Sequence, residues 1–373
     1  MIETGLVYRN PKPHLYSRQA SFPSLALLPN GEMLAAFGVG AGFESADNHT
    51  ELSRSSDGGR TWTLIGAVFN EQSGRPTSSN VRISQMPNGE LIACGVRAER
   101  WREDEGLSNP ETQGFVETEL ILCRSSDDGR TWSNPAVITP PLIGPAFEVC
   151  SPILALSDGR WLWPTSTWKG WNGDNPSGMK AIALVSNDRG RTWPEYIEVM
   201  NGVAENVLYW EQKLIDLGDG RLLAVCWTHD LNAGADRQVH YALSTDNGRS
   251  FVPPRPTGLH GQTSTPIALG DGRLVCVYRR TDKPGLWAAY FRIAGEAWVN
   301  EGELALWGHS EAGAANSVGG ENLSRAFTTL KFGLPAGLVL PSREVFVAFW
   351  CVEACLYVIR WIRLPSLVEP ADH

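Results

Sequence analysis

Long apolar runs are missing from this chain of 373 residues. None approaches the roughly 20 residues that a membrane-spanning helix needs, so no membrane partner is expected. A surplus of positive charge is missing as well. Lys and Arg total 32 against 41 Asp and Glu, a formal net charge of −9. Nucleic acid binding wants a basic face, so nucleic acid is not an expected partner, although a local basic pocket for an acidic ligand stays compatible. Met1 to Leu28 lacks a basic start followed by a continuous apolar core. The expectation is a cytoplasmic protein, or a secreted one whose leader has been removed. The seven cysteines (Cys94, Cys123, Cys150, Cys226, Cys276, Cys351 and Cys355) are odd in number, and none pair at metal-ligand spacing. Most fall in apolar runs, which predicts buried free thiols and a reducing compartment. The seven histidines are scattered; neither a metal nor another cofactor is expected. Helix signals are scarce throughout.

What the chain has is repetition. Ser55-Ser56-Asp57-Gly58-Gly59-Arg60-Thr61-Trp62 returns as Ser125-Ser126-Asp127-Asp128-Gly129-Arg130-Thr131-Trp132 and as Ser186-Asn187-Asp188-Arg189-Gly190-Arg191-Thr192-Trp193. A looser copy is Ser244-Thr245-Asp246-Asn247-Gly248-Arg249-Ser250-Phe251. Ser and Asp side chains bond nearby backbone, Gly supplies positive φ, and the closing aromatic packs inward: the unit is a tight turn between antiparallel strands. A second repeat alternates with it. Asn30-Gly31, Asn88-Gly89, Asp158-Gly159, Asp219-Gly220 and Asp271-Gly272 each sit between apolar runs, and Leu340–Phe346 is a worn sixth copy. Such dipeptides are the strongest short-range hairpin signal.

Six copies predict six blades, an all-β six-bladed β-propeller with four-stranded antiparallel blades. Residues 1–373 then form a single domain. The blades span Ser21–Phe69, Asn80–Ile138, Glu148–Val199, Trp210–Val252, Gln262–Trp298 and Phe332–Leu364. In the fifth, the Asp-containing turn has decayed to Gly295-Glu296-Ala297-Trp298, and Leu304–Arg325 reads as a long connection. The sixth has only three strand-like runs. The N-terminal strand, within residues 4–9, is expected to supply its missing outer strand and close the ring.

The S-x-D-x-G-x-T-W box alternating with L-P-x-G-E/R strands resembles the sialidase (neuraminidase) superfamily of BNR-repeat, or Asp-box, propellers. The resemblance covers nearly the whole chain and is specific for fold more than for activity. It implies a glycosidase working on a carbohydrate, an oligosaccharide or glycoconjugate, with exo action on a terminal sugar, acidic sugars included. Trp210-Glu211-Gln212-Lys213 matches the family's N-E-P-S strand, and Asp47 lies where sialidases carry their acid/base aspartate. Two hallmark positions depart from the family. Ser21 stands where the family has its carboxylate-gripping arginine, and Phe332-Gly333-Leu334-Pro335 carries no nucleophilic tyrosine. Direct attack by water, activated by Glu211 with Asp47 as acid, is the hydrolytic route this leaves.

In such a ring, inner strands begin and second strands end at one face, while the Asp boxes lie at the other. That sorts the candidates. The catalytic set is Asp47, Glu211 and His229, the last offering a base near neutral pH. The substrate-binding set is Arg82, Arg97, Arg279 and Arg280, whose planar forks suit a carboxylate, together with Glu148, Trp168 and Trp210. The hydrolase reading needs Asp47 and Glu211 both at the mouth. Two alternatives stay open: a lyase on uronate-containing glycans using a base such as His229, and a non-catalytic glycan-binding propeller. Oligomeric state is not read from the sequence.

Overall fold

A computed structural model describes residues 2–70, 74–310 and 329–365. Among them are six antiparallel sheets, each following a four-strand path, and only one short 3-10 helix, Val203–Glu205. Blade one comprises Gln19–Leu27, Met33–Gly40, His49–Ser55 and Thr63–Ala67. Blade two comprises Thr77–Gln85, Leu91–Glu99, Thr118–Ser125 and Ala136–Ile138. Blade three starts with the split inner strand Ala146–Glu148 and Leu154–Ala155, then Trp161–Trp168, Ala181–Ser186 and Glu195–Met200. Blade four has Val207–Gly218, Arg221–Asp230, His240–Ser244 and Arg255–Pro256, with Ala235–Asp236 alongside its second strand. Blade five has Gly261–Ala268, Arg273–Arg280, Leu286–Ala294 and Ala297–Trp307. Blade six has Phe332–Val339, Val345–Glu353 and Leu356–Leu364, completed by Glu3–Tyr8.

The N-terminal strand pairs as expected, with Glu3 opposite Arg363 and Tyr8 opposite Ile359. Inner strands of blades six and one then touch, closing the ring. Blade five differs from the sequence reading. Trp298 is near the start of its fourth strand, not its end. Gly295-Glu296 makes a two-residue turn with Ala294 opposite Ala297, and the strand runs on to Trp307. The expected connection from Leu304 is therefore strand for its first residues, and its stretch from 311 to 325 lies outside the described residues.

The cores are apolar layers between successive blades. Phe346 and Trp361 of blade six pack with Met33 of blade one, while Leu34 and Leu91 share a layer between blades one and two. Six cysteines are buried free thiols and Cys355 is exposed.

Each Asp-box turn repeats one wiring. In the first, Asp57 accepts hydrogen bonds from the backbone N–H of Arg60 (3.0 Å) and Thr61 (2.9 Å) and from the Thr61 hydroxyl (2.6 Å). Ser55 Oγ accepts the N–H of Gly59 at 2.8 Å. Gly59 has φ 90°, and a Cβ there would lie 2.5 Å from the Phe346 ring, so both backbone and packing demand glycine.

Candidate active site

The inner strands do not run straight. Registers slip between Ser21 and Ser24, Trp210 and Lys213, Gln262 and Thr265, and Gly333 and Ala336. At each slip one residue turns left-handed: Phe22 (φ 54°), Glu211 (φ 49°), Thr263 (φ 52°) and Leu334 (φ 42°). A bulge of this kind re-aims a side chain. In blade four the re-aimed side chain is that of Glu211.

Glu211 reaches a cavity of about 180 Å³ built by the first four blades. Phe22 and the loop residues Phe43, Glu44, Ser45 and Asn48 come from blade one. Blade two gives Ser78, Asn80, Arg82 and Arg100, and its long loop gives Leu107, Ser108 and Phe115. Phe147, Glu148 and Cys150 come from blade three, and Trp210 with Glu211 from blade four.

Glu148 and Glu211 form the centre. The backbone N–H of Glu211 donates to Glu148 Oε2 at 3.0 Å, and the Cys150 thiol donates to Glu148 Oε1. Lys213 is buried close by, its ammonium donating to the Cys150 carbonyl. Glu211 Oε2 is buried without a protein partner. Burial, then the neighbouring Glu148 charge, pushes the Glu211 carboxyl up to about 7, with Arg279, Lys213 and Arg82 pulling the other way. Burial also raises Glu148, against the Cys150 hydrogen bond and the Lys213 charge. Burial lowers the Lys213 ammonium.

A third carboxyl comes from the loop expected to deliver Asp47. Glu44 lines the cavity, accepts the Ser108 hydroxyl at 3.2 Å, and is raised by burial. Asp47 does not line it. That residue is exposed, and its carboxylate accepts the N–H of Ala41 at 3.0 and 3.2 Å. Its carboxyl sits below the usual range: burial would raise it, and hydrogen bonds from Ser45 and the Ala41 amide outweigh that. The pairing of Asp47 with Glu211 is thus not made in the cavity.

The remaining candidates divide. Arg82 lines the cavity, giving Nη1 to the Phe22 carbonyl (2.9 Å) and to Asn80 Oδ1 (2.5 Å). Arg97 does not; it binds Glu119 at 2.9 and 2.6 Å. Arg280 binds Asp282 and Glu303 and lies over the Trp287 ring. Arg279 is buried beside the cavity, with Gln262 Oε1 at 3.1 and 2.7 Å and the Phe332 carbonyl at 2.9 Å. Burial brings its guanidinium down to about 10. His229 is fastened through Nδ1 to Asp236 at 2.7 Å, and Asp236 also takes Gln262 and Trp227. That network ties blade four to blade five and does not line the cavity. Trp168 and Trp210 stack at 5.0 Å and 4°, and Trp227 packs on Trp210 at 4.3 Å. Trp168 is buried with its indole N–H on the Gln113 carbonyl, so its faces serve packing between blades; only Trp210 of the pair edges the cavity.

Known proteins place this chain. A family model described as a BNR repeat-like domain matches residues 71–306. A sialidase of Micromonospora viridifaciens is 28% identical over 243 residues, covering 62% of this chain and 35% of that protein. The chain thus aligns with about a third of that relative's length. Among solved structures, a protein of unknown function from Dyadobacter fermentans superposes with a TM-score of 0.73 at 21% identity, covering 97% of both chains. An alpha-L-arabinanase of Penicillium chrysogenum, complexed with arabinobiose, gives 0.72 at 16% identity, covering 98% of this chain and 99% of that one. At those identities the two structures speak to the fold.

Proposed function

The chain belongs to the BNR repeat-like family of the sialidase superfamily, and from that premise we propose that it is a glycoside hydrolase that cleaves a terminal sugar with the carboxyl pair Glu148 and Glu211. The observation that carries this reading is the meeting of those two groups in the cavity, where the Glu211 amide donates to Glu148 Oε2 and Glu211 Oε2 is left without a protein partner. Two carboxyls flanking a glycosidic bond are the usual equipment for its cleavage. Burial raises both carboxyls, and their hydrogen bonds set them apart. Glu211, raised to about 7 and with an unpartnered Oε2, keeps its proton near neutrality and protonates the leaving oxygen. Glu148, with donors from the Glu211 amide and the Cys150 thiol, is the partner that activates water or attacks the anomeric carbon. The curated relative from Micromonospora viridifaciens, a sialidase, lends further support.

No tyrosine stands among the described residues lining the cavity. Tyr357 stacks on Trp350 at 5.4 Å. A tyrosyl intermediate therefore has no part in this scheme. The test is a screen of chromogenic and natural glycosides against wild type, Glu211→Gln and Glu148→Gln. A cleaved substrate should lose a factor of about 10²–10⁴ in kcat in either variant. Undiminished turnover in both would sink the proposal. An absorbance rise from an unsaturated product would replace it with a lyase.

A further inference from the structure

Two neighbouring inner strands break their ladders where they face each other. That of blade three is interrupted between Glu148 and Leu154, and that of blade four bulges at Glu211 and Gln212. Side chains cross the gap. The Cys150 thiol donates to Glu148 Oε1, the Glu211 amide donates to Glu148 Oε2 at 3.0 Å, and the Lys213 ammonium donates to the Cys150 carbonyl. The Ser151 hydroxyl donates to the Gln212 carbonyl at 2.8 Å, and the Thr165 hydroxyl to the Glu148 carbonyl at 2.8 Å. The contacts close a loop: Glu148 to Cys150, Cys150 to Lys213, then back along the bulge to Glu211 and Glu148.

Cys150 lines the cavity, and both it and Lys213 are buried. Burial, then the Glu148 charge, keeps the thiol well above the ordinary thiol range, so it stays a donor. A donor on a carboxylate favours its charged form, and the two oxygens of Glu148 still keep lone pairs for water or a sugar carbon. A buried ammonium is costly unless opposite charge repays it. The Lys213 charge favours ionisation of both carboxyls. Arg82 of blade two acts on both in the same sense, and Arg279 of blade five acts on Glu211. Glu44 and Arg100 stand on the cavity wall, and the buried Cys226 thiol lies on the blade-four side of Glu148. We propose that Cys150 and Lys213 are positioning residues of this site: the thiol fixes the Glu148 carboxyl and favours its charged form, while the ammonium anchors the Cys150 backbone and supplies the positive charge that an ionised pair needs.

This assignment rests on the hydrolase reading, and two measurements separate their fates. The first is the pH profile of kcat/KM on 4-methylumbelliferyl glycosides: a neutral pentoside, a neutral hexoside and an α-sialoside. Cys150→Ala should move the acidic limb up by about one pH unit, a roughly tenfold loss below it, and Cys150→Ser, which keeps a donor, should bring the limb back. Lys213→Met and Lys213→Gln should each move both limbs up by about one unit. The second, independent of turnover, follows the carboxyl titrations by carbon-13 NMR of protein labelled at glutamate Cδ, assigned with Glu148→Gln and Glu211→Gln. Glu148 should titrate about one unit higher in Cys150→Ala, and both carboxyls about one unit higher in the lysine variants. Where neither lysine variant folds, the Cys150 pair decides alone. Activity lost equally at every pH, with the titrations unmoved, is what packing alone would give and overturns the assignment. Moved titrations with no glycoside cleaved keep the assignment and sink the hydrolase. Cleavage that needs Glu211, with limbs and titrations unmoved, keeps the hydrolase and overturns the assignment.

Discussion

Glu211 combines two costs at one position. Its backbone is left-handed, at φ 49°, a conformation that costs a non-glycine residue about 1–2 kcal/mol. Its carboxyl is buried beside another carboxyl and raised to about 7. A carboxyl raised on folding supports stability below its unfolded pKa and loses that support as pH climbs through the folded value. Stability should therefore fall between about pH 4.5 and pH 7 on this account. Glu211→Gln, which cannot ionise, should raise the melting temperature at pH 8 and gain on the order of 2 kcal/mol over wild type there, with no gain at pH 4. Calorimetry at the two pH values checks both signs. Catalysis should track the same group: kcat should decline as pH rises above about 7 and the acid loses its proton.

At this scale the sequence was partly readable. Glu211 could be aimed at the mouth because it precedes an Asp-Gly hairpin by a fixed count. Glu44 and Asp47 are three residues apart in one loop, and nothing local says which turns inward. The choice is made by Ser108 and Arg100, on the neighbouring blade, which engage the Glu44 side chain and carbonyl. Trp168 and Trp210 likewise look like sugar platforms until three indoles from two blades stack on one another.

Among the elements, the Asp-box turns do more than close hairpins. Each places two successive residues left-handed: Gly58 and Gly59, Asp128 and Gly129, Arg189 and Gly190, Asn247 and Gly248. The carbonyl of the first of each pair receives an arginine from the preceding blade. Arg363 reaches Gly58, Arg54 reaches Asp128, Arg124 reaches Arg189 and Arg160 reaches Asn247. One turn thus joins two strands and latches two blades. These turns were legible because all their bonds but the arginine are local; the arginine latches were not, since their partners are up to 305 residues apart.

Gly59→Ala should cost about 2–3 kcal/mol, from a strained φ and a collision with Phe346, read as a lower denaturation midpoint. The worn hairpin of blade six offers the opposite change. Arg343 is exposed and left-handed at φ 67°, where the other copies have glycine. Arg343→Gly should stabilise by up to about 1 kcal/mol. Acid should loosen the turns. Hydrogen bonds led by Thr131 hold Asp127 down at about 2, and those from Ser250 outweigh burial to do the same for Asp246. Their support is present above the unfolded value near 4 and is lost as pH falls toward 2, which a melting series from pH 5 to 2 would register.

For the whole molecule, the ring depends on a strand from the far end of the chain. Removing residues 2–8 would bare the edge of Leu356–Leu364 and uncover Trp361, which packs against Gly5. An open edge next to apolar surface favours aggregation. The truncated protein should lose soluble yield and its cooperative unfolding transition, and a synthetic peptide of residues 2–9 should restore part of both.

That seam has a mechanical consequence. Glu3 lies opposite Arg363 in an antiparallel pair, so tension applied at those two points loads the first rung alone and then each next one in turn. The barrel of blades should peel open at low force from that direction, like tape lifted from its corner, while a pull across blades one and four would have to shear many rungs together.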